Sequence, residues 1–236
     1  MMGYRGHPEW RDMSEYVVHF VRGDAAGNTG YGPVMGILSA GEIWGTGPFG
    51  AARNLADKLD QTQFSACFSE IPLDLLDRLV ERRQTRYGIG FHQRFIIESG
   101  GARVWYLDQG SPTSEAMREQ IRRSMVGGID QDNPLWKLTP FVDYPSDDPV
   151  NYRFEWEREW RVPGGLRFLP GDVAFLLMPE ELHGAARAFF AQAQAEYLGP
   201  AYFCPYLDPS WDDAHIQPAV ANVYRTTDPT RRGVCS

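Results

Sequence analysis

The apolar and polar positions of this chain fall into short runs of two kinds. Continuous apolar stretches at "EYVVHFVR" (15–22), "FSACFSEIP" (64–72) and "DVAFLLMP" (172–179) read as strands. Helical spacing marks "GPVMGILSAGEIW" (32–44), a short helix with Met35, Ile37 and Leu38 turned inward and a glycine at its end. In "PLDLLDRLVERRQ" (72–84), Pro72 and an early Asp74 open a helix with a stripe of Leu73, Leu76, Leu79 and Val80. The stretch "YGIGFHQRFIIESGGARVWYLD" predicts strands at 87–91 and 103–108, joined by a short helix or an extended link. Further helices are expected at about 113–126 and over "EELHGAARAFFAQAQAEYL" (180–198), with a loop at "DYPSDDPV" (143–150). The tail from Gly199, rich in Pro, Asp and aromatics, is expected to wrap the surface. Strands and helices do not alternate regularly. The expected class is therefore α+β, a mixed, mostly antiparallel, bent or split sheet with flanking helices in a single domain over 1–236.

The segment "NYRFEWEREWRV" (151–162) has a period of two. As a strand it turns Phe154, Trp156, Arg158, Trp160 and Val162 one way and Glu155, Glu157, Glu159 and Arg161 the other. Carboxylates two apart on a strand lie roughly 7 Å from each other. At an effective dielectric of 20, adjacent ones repel by about 2.4 kcal/mol. Such a face must be solvated, matched by cations, or part of a wet cleft that uses an acid on a rigid strand.

Composition narrows the chemistry. With a formal charge of −8, the chain is poorly suited to a broad nucleic-acid footprint, although a local groove is compatible with it. Its three cysteines, Cys67, Cys204 and Cys235, have no metal-ligand spacing and read as reduced thiols of a cytoplasmic protein. His92, His183 and His215 are too dispersed for a metal site, and the loop "GTGPFGAARNL" has neither the G-x-G-x-x-G fingerprint nor a P-loop lysine. The N-terminus has no apolar signal core, no run approaches a membrane span, and the 180–198 helix lacks a basic face. The expectation is a soluble, cytoplasmic protein with no membrane partner and no metal.

Taken in order, "HFVR", "CFSEIP", "YGIGF", "DDPVNYRFEWEREWRVPGGLRF" and "DVAFLLMP" resemble the AbiGi family, antitoxins of bacterial abortive-infection systems directed against phage. The likeness covers about 15–190, with the residues from 199 to 236 as an extension outside it. Two shorter motifs are similar to the DarT-like ADP-ribosyltransferases: "HFVR" with "GILSAGEI" near the start, and "EWRVP" (159–163) late in the chain. Arg161 stands where that family usually has an aliphatic residue.

The second resemblance implies a transferase fold, NAD as substrate, Glu159 as the catalytic acid and His19 as an NAD contact. Breaking the nicotinamide–ribose bond builds positive charge on the sugar, and a carboxylate fixed on a strand stabilises it. Arg161, on the same face, would keep Glu159 ionised. On this hypothesis Arg22 takes a phosphate and Tyr87 stacks on nicotinamide, with Gly88 and Gly90 allowing close approach. Ser69 and Glu70 border the cleft, and Glu157 engages the acceptor, a nucleic acid or a protein; simple NAD hydrolysis is a further outcome. Each residue also has a plain reading: a core histidine, a packed tyrosine, a solvated carboxylate. The rival function is a non-catalytic antitoxin whose aromatic and acidic surfaces bind a partner toxin.

Overall fold

A computed structural model of the chain describes residues 13–23, 29–59, 63–70, 72–145, 158–212, 214–216 and 218–220. Its strands are β1 (Tyr16–Val21), β2 (Glu42–Trp44), β3 (Ser65–Ser69), β4 (Tyr87–His92), β5 (Ala102–Arg103) and β6 (Trp105–Tyr106), followed by β7 (Val142–Asp143), β8 (Glu159–Pro163), β9 (Gly165–Arg167), β10 (Val173–Leu177) and β11 (Tyr206–Leu207). Its α-helices are α1 (Tyr31–Ala40), α2 (Leu76–Arg83), α3 (Gln93–Glu98), α4 (Pro112–Arg123), α5 (Leu135–Leu138) and α6 (Glu180–Ala195). The chain divides into two units: Met1–Gly41, Ile71–Gln93 and Phe168–Ser236 form the first, and Glu42–Glu70 with Arg94–Arg167 the second. Both are mixed α and β with mainly antiparallel strands.

In the first unit the strands run in the order β11, β10, β4, β1. β1 and β10 each pair antiparallel with β4, and β11 pairs parallel with β10. All five residues of β10 are buried, which explains why it reads as a continuous apolar run and not as an alternation. Gly90 on β4 meets the Phe175 ring of β10, and a Cβ there would collide with it. Pro72 opens one 3-10 turn, Leu73–Leu75, before α2 begins. Leu73 and Leu76 join Tyr16, Val18, Phe175 and Leu177 in the core.

The tail departs from its expected surface role. Leu207, Ile216 and Val220 lie in this same core, at 0%, 1% and 5% exposure, and Tyr202 donates its phenol hydrogen to the Leu38 carbonyl at 2.6 Å. Apolar residues spaced among Pro and Asp carried no period from which their burial could be read.

Asp208 fastens this tail. Its carboxylate accepts from the Glu180 N–H at the start of α6 (2.8 Å), from the Ser210 N–H and hydroxyl (2.8 and 2.7 Å), and from Arg86 (2.9 and 2.7 Å). Burial pushes the carboxyl pKa up, but these hydrogen bonds outweigh it and hold the group at about 2. With a depressed folded-state pKa, the contribution of Asp208 to stability is complete above the ordinary value of 3.8 and is lost as pH falls through about 2. Thermal melts stepped across that interval should show wild type losing stability as acid is added, and Asp208→Asn losing less.

In the second unit β8 is central, with β3 and β5 antiparallel on either side. Ser69 faces Glu159 and Cys67 faces Arg161 across β3 and β8, while Ala102 faces Arg161 across β5 and β8. β2 pairs antiparallel with β9, and β6 parallel with β7. A smaller core gathers Ala52 and Leu59 around Trp136, which is 1% exposed. Beside it the buried Gln63 donates to the Trp136 carbonyl and accepts from the Thr139 hydroxyl. These bonds fix the Thr139–Phe141 turn, against which Gly50 (φ 86°) packs so closely that a side chain has no room.

The expected regular strand over 154–162 is corrected in part. β8 begins only at Glu159, because Arg158 has a left-handed backbone (φ 45°), a conformation that breaks the period of two. Residues 151–157, Glu157 among them, lie outside the described residues. Glu159 is 8% exposed, so at this position the acidic face is matched by a cation and not solvated. Among the described residues, no helix is long and apolar enough to cross a membrane.

Candidate functional site

Charged side chains gather in both units. In the second, Glu159 and Arg161 project from the same face of β8, two residues apart. Arg161 donates through Nε to Glu159 Oε1 (2.8 Å) and through Nη2 to Glu159 Oε2 (3.1 Å) and Asp143 Oδ2 (2.8 Å). Its Nη1 reaches the Pro140 carbonyl at 2.8 Å, and its guanidinium lies 4.9 Å from the centre of the Phe49 ring. Tyr106 donates its hydroxyl to Glu159 Oε2 at 2.6 Å. Arg53 approaches Asp143 Oδ1 at 3.4 Å from the more exposed side.

Arg161 is 2% exposed. Burial works against its charge, yet Glu159 and Asp143 outweigh that penalty and hold its pKa above the ordinary arginine value. Burial and the neighbouring Glu159 charge push the Tyr106 phenol pKa up, so Tyr106 stays a donor. An ionised carboxylate accepts about four hydrogen bonds. Among the described residues, Arg161 and Tyr106 supply three of these to Glu159.

A second buried carboxylate stands nearby. Glu70, 1% exposed, accepts at Oε2 from Arg103 Nε (3.0 Å) and Trp160 Nε1 (2.9 Å), and Arg158 Nη1 lies 3.8 Å from its Oε1. Ser69 beside it is buried opposite Glu159.

In the first unit an open cleft of about 850 Å³ is lined by Arg22, Arg82, Arg83, Arg86, Tyr87 and Glu181, among others. Four arginines against Glu81 and Glu181 leave this lining two net positive charges in a chain that is −8 overall. Tyr87, at 8% exposure, is part of the cleft wall, with the Tyr31 ring edge-on at 6.2 Å. Thr85 donates to the Val21 carbonyl at 2.5 Å and accepts from the Tyr87 N–H, which pins the start of β4. Gly30 fits here because a Cβ would stand 2.6 Å from the Val21 carbonyl oxygen and 2.7 Å from the Tyr87 ring.

The structure thus brings Arg22 and Tyr87 together in the first unit, and Glu159, Arg161, Ser69 and Glu70 in the second. His19 is half-buried on β1 opposite Ile89 and does not line the cleft. Sequence reasoning missed Tyr106, Asp143, Arg86 and Asp208. No periodicity links residues so far apart, but the density of arginine in "ERRQTRYGIGF", just before a glycine-bearing strand, was a usable signal for Arg86. In comparisons with known proteins, the chain matches no family model, no curated protein and no solved structure.

Proposed function

We propose that the protein binds an NAD-class nucleotide in the arginine-lined cleft of its first unit and acts as an ADP-ribosyltransferase in the cytoplasmic defence of a bacterium against phage. The observation that carries this reading is the cleft itself. Arg22 and Tyr87, the residues expected to hold a phosphate and to contact the ligand ring, line one concavity whose size falls in the usual range for small-molecule sites. The diphosphate of a dinucleotide carries two negative charges, the complement of the lining. Guanidinium groups suit phosphate oxygens through planar, charge-assisted hydrogen bonds. In the chemistry of this reading, a carboxylate stabilises the oxocarbenium-like sugar, the role expected of Glu159, which Arg161 hydrogen-bonds in the second unit.

The test is incubation of the full chain with adenylate-labelled NAD and bacterial extract. Label is expected to enter nucleic acid or protein, or to appear as free ADP-ribose. If labelled NAD is neither bound nor consumed, the reading fails.

One observation favours a second reading, the antitoxin that binds a partner toxin. In the first unit Phe189, Tyr197, Leu198 and Phe203 stand 50%, 96%, 77% and 79% exposed, on and just beyond α6. Large exposed apolar groups of this kind mark protein-binding surfaces. A stable complex with the product of the neighbouring gene, together with indifference to NAD, would favour it.

A further inference from the structure

We propose that Arg86 is the fixed anchor for the ligand's diphosphate in the first-unit cleft and that Asp208 is the residue positioning it. This rests on the reading of that cleft as a nucleotide site. Arg86 lines the cleft with its side chain 39% exposed, yet one end of its guanidinium is tied down. Nη2 donates to both oxygens of Asp208, at 2.9 and 2.7 Å. Asp208 is 3% exposed and held in turn by the Glu180 N–H and by Ser210, so it cannot turn away from the arginine. The Arg86 Nε–H and both Nη1–H groups make no hydrogen bond among the described residues; the nearest charge is Glu181, 3.9 Å from Nη1 and itself 70% exposed.

An arginine side chain free to rotate loses conformational freedom when a ligand immobilises it. Asp208 imposes that ordering before the ligand arrives, which is the physical content of preorganisation. Arg86 therefore combines three properties that phosphate recognition needs: permanent charge, a defined direction and unused donors. Arg22, exposed just beyond the end of β1, shares the cleft but is not held in this way by any carboxylate named above.

The experiment is titration calorimetry of the full chain with inorganic pyrophosphate and, separately, with ADP-ribose, which carries the diphosphate without nicotinamide. A charge-assisted hydrogen bond is worth about 1.5–3 kcal/mol, so Arg86→Gln is expected to weaken both ligands by at least about tenfold. Asp208→Asn is expected to weaken them comparably. If Asp208 acts through Arg86, the double variant binds no more weakly than Arg86→Gln alone. A purely structural Asp208 would instead add its own loss on the Arg86→Gln background, overturning the positioning role. Should Asp208→Asn fail to fold, Ser210→Ala, which removes one of the hydrogen bonds holding Asp208, replaces it in the same cycle. Binding by Arg86→Gln within twofold of wild type overturns the anchor and leaves the nucleotide reading standing. If wild type binds neither ligand, both fall.

Discussion

Glu159→Gln is expected to lower NAD turnover by at least about 100-fold, a loss of about 2.7 kcal/mol in transition-state stabilisation. Glutamine keeps the shape of the side chain and removes the charge that, on the proposed reading, stabilises the sugar cation. The surroundings make this substitution less silent than near-isosteric exchange suggests. Arg161 Nε and Nη2 and the Tyr106 hydroxyl all donate to the Glu159 carboxylate. An amide nitrogen in place of one oxygen sets donor against donor, and among the described residues Arg161 then keeps Asp143 as its remaining carboxylate partner. A stability loss of about 1–3 kcal/mol should accompany the loss of turnover. Tyr106→Phe separates the two effects, because it removes a 2.6 Å hydrogen bond from the same carboxylate without removing its charge. Turnover by label release, measured well below the melting temperature of each variant, should collapse for Glu159→Gln and persist in Tyr106→Phe. Equal turnover by Glu159→Gln and wild type would end the catalytic assignment.

Arg161→Met should be the most damaging single change to the second unit, costing about 3–5 kcal/mol and lowering the melting temperature by roughly 10 °C. Methionine fills much of the volume but leaves the buried Glu159 without its cation and Asp143 with only the longer, more exposed Arg53 contact among the described residues. It also leaves the Pro140 carbonyl without the Arg161 donor. The penalty comes from uncompensated charge and not from a lost contact. Replacing Glu159 and Asp143 by leucine together with Arg161→Met should therefore recover most of the stability. Circular-dichroism melts of the single and triple variants check this; a triple variant no more stable than Arg161→Met would show that packing around Phe49 and the Pro140 turn dominates.

What the chain disclosed in advance follows from the range of the interactions involved. β1, β3 and β10 were legible because a buried strand needs apolar residues in succession, and α6 because sixteen residues can show a helical period. The Glu159–Arg161 pair was legible too, since side chains two apart on a strand share a face. Arg158 was not: its left-handed backbone is imposed by its surroundings, and arginine has no intrinsic preference for it. Nor were Tyr106 and Asp143, which reach Glu159 and Arg161 from segments 53 and 18 residues away in the chain. The burial of Leu207 and Ile216 escaped notice because isolated apolar residues in a proline- and aspartate-rich stretch announce no element; the parallel pairing of β11 places Leu207, and packing in the first unit's core places Ile216.

That pairing has a further consequence. β11 closes one side of the first unit's sheet with just Tyr206 and Leu207, bracketed by Pro205, which has no amide hydrogen, and by Asp208, which is charged and already engaged. A margin so short offers a foreign polypeptide almost no ladder to extend. Leu176 and Leu177, the end of the uniformly hydrophobic β10, are thereby capped against edge-to-edge aggregation.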